Sequence, residues 1–170
     1  MNGITRLWRV ALALPLAGLL ATGAAHADTG AAHWTSAGQN LGNTRHQATE
    51  TKIGTANVGR LGVKWSFTTG GDVSATPAVD GRAVYVPDWA GNLYAIDRST
   101  GGAIWTTRID AATGIPGDKA RATPVISGNK LILGTQGPFG GGGRLLAFDK
   151  TNGQLIWQTV LDAHPAAIVT

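Results

Sequence analysis

From Ser74 to Leu161 the chain alternates short runs of β-branched, aliphatic and aromatic residues with polar positions, and Gly, Asn, Asp or Pro cut the runs every several residues. A period of two between turn signals predicts strands with one face buried. Strands are expected near 74–79, 83–87, 92–96 and 103–109, and again near 122–126, 130–135, 144–148 and 155–161. Ala83-Val84-Tyr85-Val86 and Lys130-Leu131-Ile132-Leu133 hold matching places, as do Leu93-Tyr94-Ala95-Ile96 and Leu145-Leu146-Ala147-Phe148. The pattern is therefore one four-stranded unit used twice, the plan of a propeller blade.

The repeat is explicit in the letters. Ala95-Ile96-Asp97-Arg98-Ser99-Thr100-Gly101-Gly102-Ala103-Ile104-Trp105 returns as Ala147-Phe148-Asp149-Lys150-Thr151-Asn152-Gly153-Gln154-Leu155-Ile156-Trp157, and Ala75-Thr76-Pro77 returns as Ala122-Thr123-Pro124. Asp97 and Asp149 are placed to bond backbone amides two residues on and start a turn. Gly101 and Gly153 then supply the positive φ that lets the hairpin return. Trp65, Trp105 and Trp157 are expected to wedge between neighbouring blades as core residues, each burying roughly 150–250 Å².

The repeats differ in length, with 40 residues from Trp65 to Trp105 and 52 from Trp105 to Trp157. Two insertions account for the difference: a loop over Asp110 to Lys119, and the run Gln136-Gly137-Pro138-Phe139-Gly140-Gly141-Gly142-Gly143. Loops that lengthen at fixed places in a repeat fall on one face, often the binding face. No Gly-Lys-Ser/Thr follows the glycines, so they are expected to extend a hairpin rather than cradle a phosphate.

The first residues have a different character. Arg6 and Arg9, the apolar run Val10 to Leu20 and Ala25-His26-Ala27 form the three parts of a secretory leader, with cleavage expected before Asp28. The apolar run is shorter than the roughly 20 residues of a spanning helix, so an integral membrane protein is not expected. Removing Arg6 and Arg9 takes the formal charge from +4 to +2, and the other basic residues are scattered among acids. Nucleic-acid binding calls for a clustered basic face, and none is legible. Cysteine is absent, which excludes disulfides, thiolate metal sites and a Cys-x-x-Cys-His haem attachment.

The opening of the chain is specific. His33-Trp34-Thr35-Ser36-Ala37-Gly38-Gln39-Asn40, Asn43-Thr44-Arg45, Ile53 to Leu61 and Lys64-Trp65-Ser66-Phe67-Thr68-Thr69-Gly70, together with the Ala-x-Asp-x-x-Thr-Gly-x-x-x-Trp phrase, resemble the start of the quinoprotein dehydrogenases. Asn152 replaces the Thr in the second copy of that phrase. The insertions around Ile115-Pro116-Gly117-Asp118-Lys119 and Gly137-Pro138-Phe139-Gly140 resemble the polyvinyl-alcohol dehydrogenases in particular. The resemblance implies an all-β fold, a β-propeller of quinoprotein dehydrogenase type with about two of eight blades in this chain. It divides the chain into a signal peptide at 1–27, an N-terminal extension with the first propeller strand at 28–72, and two blades at 73–170.

The same resemblance implies pyrroloquinoline quinone and Ca²⁺ as cofactors, an alcohol or polyvinyl-alcohol substrate, a cytochrome c electron acceptor, and a periplasmic or secreted location. Eight blades of about 40 residues need roughly 320, so these residues are expected to be the N-terminal part of such an enzyme, without turnover alone. Arg121 matches the Arg that contacts the quinone in related alcohol dehydrogenases; its other reading is an ordinary surface arginine. Two departures stand beside it: the vicinal cysteine pair of some relatives is missing, and Ser74 occupies the place of a Glu. The family's Ca²⁺ ligands, catalytic base and aromatic floor are expected beyond Thr170.

Asp88, Asp110, Asp118 and Asp162 form no paired-carboxylate or metal spacing, and His33, His46 and His164 are too scattered for a zinc site. No Gly-x-Ser-x-Gly element occurs. The alternative function is a non-catalytic propeller docking proteins in the outer-membrane assembly machinery. Such lipoproteins would carry a lipobox Cys, absent here, and would lack the Trp34 to Arg45 opening.

Overall fold

The computed structural model describes residues 33–138 and 142–170. The leader read at 1–27 and residues 139–141 of the glycine run lie outside them. The described chain forms two four-stranded antiparallel sheets, each in simple sequential order. Blade 1 holds β1 (Ala78–Val79), β2 (Ala83–Pro87), β3 (Asn92–Asp97) and β4 (Ala103–Arg108). Blade 2 holds β5 (Val125–Ser127), β6 (Lys130–Gly134), β7 (Gly143–Asp149) and β8 (Leu155–Asp162).

All the expected strands form, but the first of each blade is shorter than the hydrophobic pattern suggested. β1 begins after Pro77 and β5 after Pro124; proline has no N–H to give a ladder, so pairing starts only beyond it. The first insertion is not wholly a loop either. It opens on a single helical turn, α1 (Ile109–Thr113), which closes on Gly114 at φ 73° with its N–H bonded to Asp110 O at 3.0 Å. Alanines at 111 and 112 favour the turn, and a left-handed glycine ends it.

The two-residue period sorts the side chains onto two faces. Ala83, Tyr85, Leu93 and Ala95 of blade 1 meet Leu131, Leu133, Leu146 and Phe148 of blade 2 in one buried cluster with Ile109 and Ala120. The alternate positions Val86, Tyr94 and Ile96 pack on the other face against Trp65 and Phe67. Residues 64–69 thus lie against blade 1, and the Phe67 and Tyr94 rings meet edge to face at 5.3 Å.

The shared phrase carries the joint between neighbouring units. Trp65 donates its indole N–H to Arg98 O at 3.0 Å, and Trp105 donates to Lys150 O at 3.1 Å. Each acceptor follows the Asp of the phrase, and each ring lies over the phrase's glycine. A Cβ on Gly101 would stand 2.7 Å from Trp65, and one on Gly153 would stand 2.6 Å from Trp105. The turns form as expected. Asp97 Oδ1 accepts the Ser99 and Thr100 amides at 2.8 and 2.9 Å, and Asp149 Oδ1 accepts the Thr151 amide at 2.8 Å. The Ser99 hydroxyl and these amides hold the Asp97 carboxyl down to about 2. Trp157 occupies the same repeat position on β8, where it is 37% exposed.

Two further contacts tie the blades together. Trp34 and Val79 exchange backbone bonds of 2.8 Å while Thr35 O accepts the Ile126 amide at 2.9 Å, so the N-terminal segment straps both inner strands. Beside it, just after β1, Lys150 of blade 2 reaches Asp80 of blade 1 at 3.1 Å.

Candidate functional site

The two Ala-Thr-Pro phrases enter their blades side by side, and the Thr76 amide donates to Thr123 Oγ1 at 3.1 Å across the joint. Between them and the strap at Ser36–Gly38 opens a cleft of about 470 Å³, lined by Ser74, Thr76, Arg121 and Thr123 among others. Hydroxyls and one guanidinium supply its polar groups. Among the described residues no carboxylate or imidazole side chain lines it.

Arg121 is exposed at the edge of this cleft. Its guanidinium lies 5.7 Å from the centre of the Trp89 ring, and Lys119 Nζ lies 5.3 Å from the same centre. Trp89 is fixed from the preceding linker: its indole N–H donates to Ser74 Oγ at 3.0 Å and its amide to Asp72 O at 2.9 Å. Ser74, which sequence comparison marked only as a missing Glu, thus anchors the ring beneath Arg121. Sequence reasoning passed over Trp89 and Lys119. Trp89 lies outside the repeated phrase, and only the fold brings 74, 89, 119 and 121 together.

The acidic candidates resolve individually. Asp88 is buried and accepts from the Gly71 amide at 3.1 Å, Tyr94 Oη at 2.8 Å and Asn92. Burial opposes its charge, but these donors outweigh it and hold its pKa below the ordinary value. Asp110 pairs with Arg108 at 2.7 Å, which lowers its pKa. Asp162 Oδ1 accepts the His164 amide at 2.8 Å in a turn.

Asp118 differs. It is 1% exposed, and its Oδ2 and the Thr135 hydroxyl are buried without a hydrogen-bond partner. Burial pushes its pKa up; the Thr113 and Thr135 hydroxyls stand close enough to temper the rise but not to close a good hydrogen bond. His33, His46 and His164 come no closer to a shared centre. Among the described residues no group of three His, Cys, Asp or Glu is placed to hold a metal ion.

At the far end of blade 1 the fold gathers Lys64, Arg82 and Arg98 around a second depression with Asp97. These cations are remote in sequence, which is why no cluster was legible. Among the described residues no helix is long and apolar enough to cross a membrane.

The family profile that matches residues 5–170 is described as outer membrane protein assembly factor BamB. The chain is 34% identical over 131 residues to a quinohemoprotein alcohol dehydrogenase of Comamonas testosteroni, covering 73% of this chain and 18% of that protein. It is 26% identical over 155 residues to a polyvinylalcohol dehydrogenase of Sphingopyxis sp., covering 84% of this chain and 21% of that one. The chain therefore spans about a fifth of the length of these curated relatives. Among solved structures it is similar to BamB from Moraxella catarrhalis, with a TM-score of 0.45 and 22% identity over 58% of this chain and 27% of that one.

Proposed function

The chain belongs to the propeller family described as outer membrane protein assembly factor BamB, and on that premise we propose that its cleft is one wall of a pyrroloquinoline-quinone site in an exported alcohol dehydrogenase. The observation that carries this reading is Arg121. Its guanidinium keeps its donors free of any carboxylate among the described residues while lying beside a hydroxyl-lined cleft. A planar fork of N–H donors suits a carboxylate or a polar quinone oxygen, and neighbouring Ser and Thr hydroxyls can bond the oxygens that remain. The quinone, when bound, supplies the acceptor for the electrons of an alcohol carbon.

Among the described residues no group of three His, Cys, Asp or Glu is placed to hold Ca²⁺. Among the described residues no carboxylate or imidazole side chain lines the cleft, so its proposed role is to hold the quinone and not to take the alcohol proton. Secondary alcohols such as polyvinyl alcohol are the proposed substrate class, supported by the insertion phrases and the Sphingopyxis relative. A cytochrome c is the proposed electron acceptor. The location is the periplasm or the exterior, after cleavage near Ala27.

The family's own description favours a second reading, a scaffold that docks proteins in outer-membrane assembly. Quinone binding separates the two. Equilibrium dialysis of pyrroloquinoline quinone against the 170-residue chain should show saturable binding, weakened about tenfold or more in Arg121→Ala. Absence of saturable binding would overturn the quinone site and leave the scaffold.

A further inference from the structure

Two cations, of which Arg121 lines the cleft, share one aromatic ring: Lys119 Nζ lies at 5.3 Å and the Arg121 guanidinium at 5.7 Å from the centre of Trp89. Neither has a salt-bridge partner among the described residues. Like charges gathered in one place repel, and the face of an indole offsets this only in part. Neither cation is neutralised by a paired carboxylate among the described residues. The Lys119 ammonium and the Arg121 guanidinium lie near this ring and form no salt bridge among the described residues, which leaves their N–H groups available to a ligand.

We infer that Lys119 and Arg121 form a two-cation receptor for a ligand bearing several carboxylates, and that Trp89 is the positioning residue that holds them. This rests on the quinone reading and deepens it: Lys119 becomes a second binding residue and Ser74 the anchor of the platform. Ser74 fixes the indole N–H, so the ring plane is set by the linker of the preceding blade. The receptor thus exists only when the two units are correctly joined. Pyrroloquinoline quinone, planar and carrying several carboxylates, has the chemistry the pair would take.

The test is a titration of the full chain with pyrroloquinoline quinone, repeated with Lys119→Ala, Arg121→Ala, the double variant, Trp89→Ala and Trp89→Phe. Each cation removed should weaken binding roughly tenfold, and the loss should shrink as salt is added. Trp89→Ala should weaken binding about as much as loss of one cation, Trp89→Phe, which keeps an aromatic face but loses the bond to Ser74, should restore part of it, and Trp89→Ala should add little once both cations are gone. Without ligand, the Trp89 indole N–H resonance should shift in each cation variant.

If Arg121→Ala weakens binding while Lys119→Ala and Trp89→Ala leave it unchanged, the receptor is overturned and the quinone reading stands. No saturable binding by the unmodified chain overturns both. An equal loss from Trp89→Ala with and without the cations shows that Trp89 acts only on the general fold and overturns its positioning role.

Discussion

Gly153 should be among the least replaceable residues of the chain, and the reason can be separated into two parts. Its φ is +73°, a region that costs an L-residue about 1–2 kcal/mol. An added methyl would also stand 2.5 Å from Thr107 Oγ1 and 2.6 Å from Trp105 Cε3. Trp105 can yield only by backing off, which strains its hydrogen bond to Lys150 O at 3.1 Å. Overpacking of this kind costs about 1–3 kcal/mol, so Gly153→Ala should lose roughly 2–5 kcal/mol in all.

Gly128 isolates the first part. Its φ is +57°, yet nothing lies within 4 Å of an added Cβ, so Gly128→Ala should cost only the backbone share of about 1–2 kcal/mol. Urea unfolding followed by circular dichroism would measure both, with unchanged m-values as the check that only stability moved. Trp105→Ala in the Gly153→Ala background should cost less than the sum of the single changes, because deleting the ring relieves the clash. Equal losses for Gly153→Ala and Gly128→Ala would refute the docking of Trp105 on Gly153.

Other outcomes follow from the buried charges and the cleft. Burial raises the Asp118 pKa; its contribution to stability is therefore fully present below the unfolded value near 4 and is lost as pH rises through the folded one. Asp118→Asn should be at least as stable as the parent at pH 7, and the advantage should vanish in thermal melts near pH 4. Asp80 has the opposite sign. Burial works against its charge, but the Ala83 and Arg82 amides and the Lys150 ammonium prevail and lower its pKa. Its contribution holds above the unfolded pKa and is lost as pH falls through the folded one. Asp80→Ala should cost about 1–3 kcal/mol at pH 7, with the gap to the parent closing in acid, and NMR titration of Asp80 should show its pKa rising in Lys150→Met. Finally, the chain supplied with quinone, Ca²⁺ and polyvinyl alcohol should not reduce an electron-accepting dye, and measurable reduction would contradict a cleft without a base.

Much of the fold was legible because a blade writes its turns and its docking tryptophan in adjacent letters. Asp97, Gly101 and Trp105, with their repeats at Asp149, Gly153 and Trp157, specify a turn, a return and an anchor within nine residues. The short first strands were less visible, since hydrophobicity continues through Ala75 and Ala122 while Pro77 and Pro124 forbid pairing. The turn of helix at Ile109–Thr113 hid in an insertion because its five residues are too few to show a period. The site was legible only as Arg121. Its ring, its companion cation and its anchor come from Trp89, Lys119 and Ser74, whose proximity depends on the joint between blades and leaves no spacing in the sequence.

A crystal structure of the chain grown with pyrroloquinoline quinone would test the central claim most directly. The expected result is quinone in the cleft between the two Ala-Thr-Pro phrases, with a carboxylate or ring oxygen against the Arg121 guanidinium and the Thr123 or Ser74 hydroxyl within hydrogen-bond reach. Quinone bound elsewhere, or an empty cleft at saturating quinone with Arg121 still resting on Trp89 alone, would contradict it.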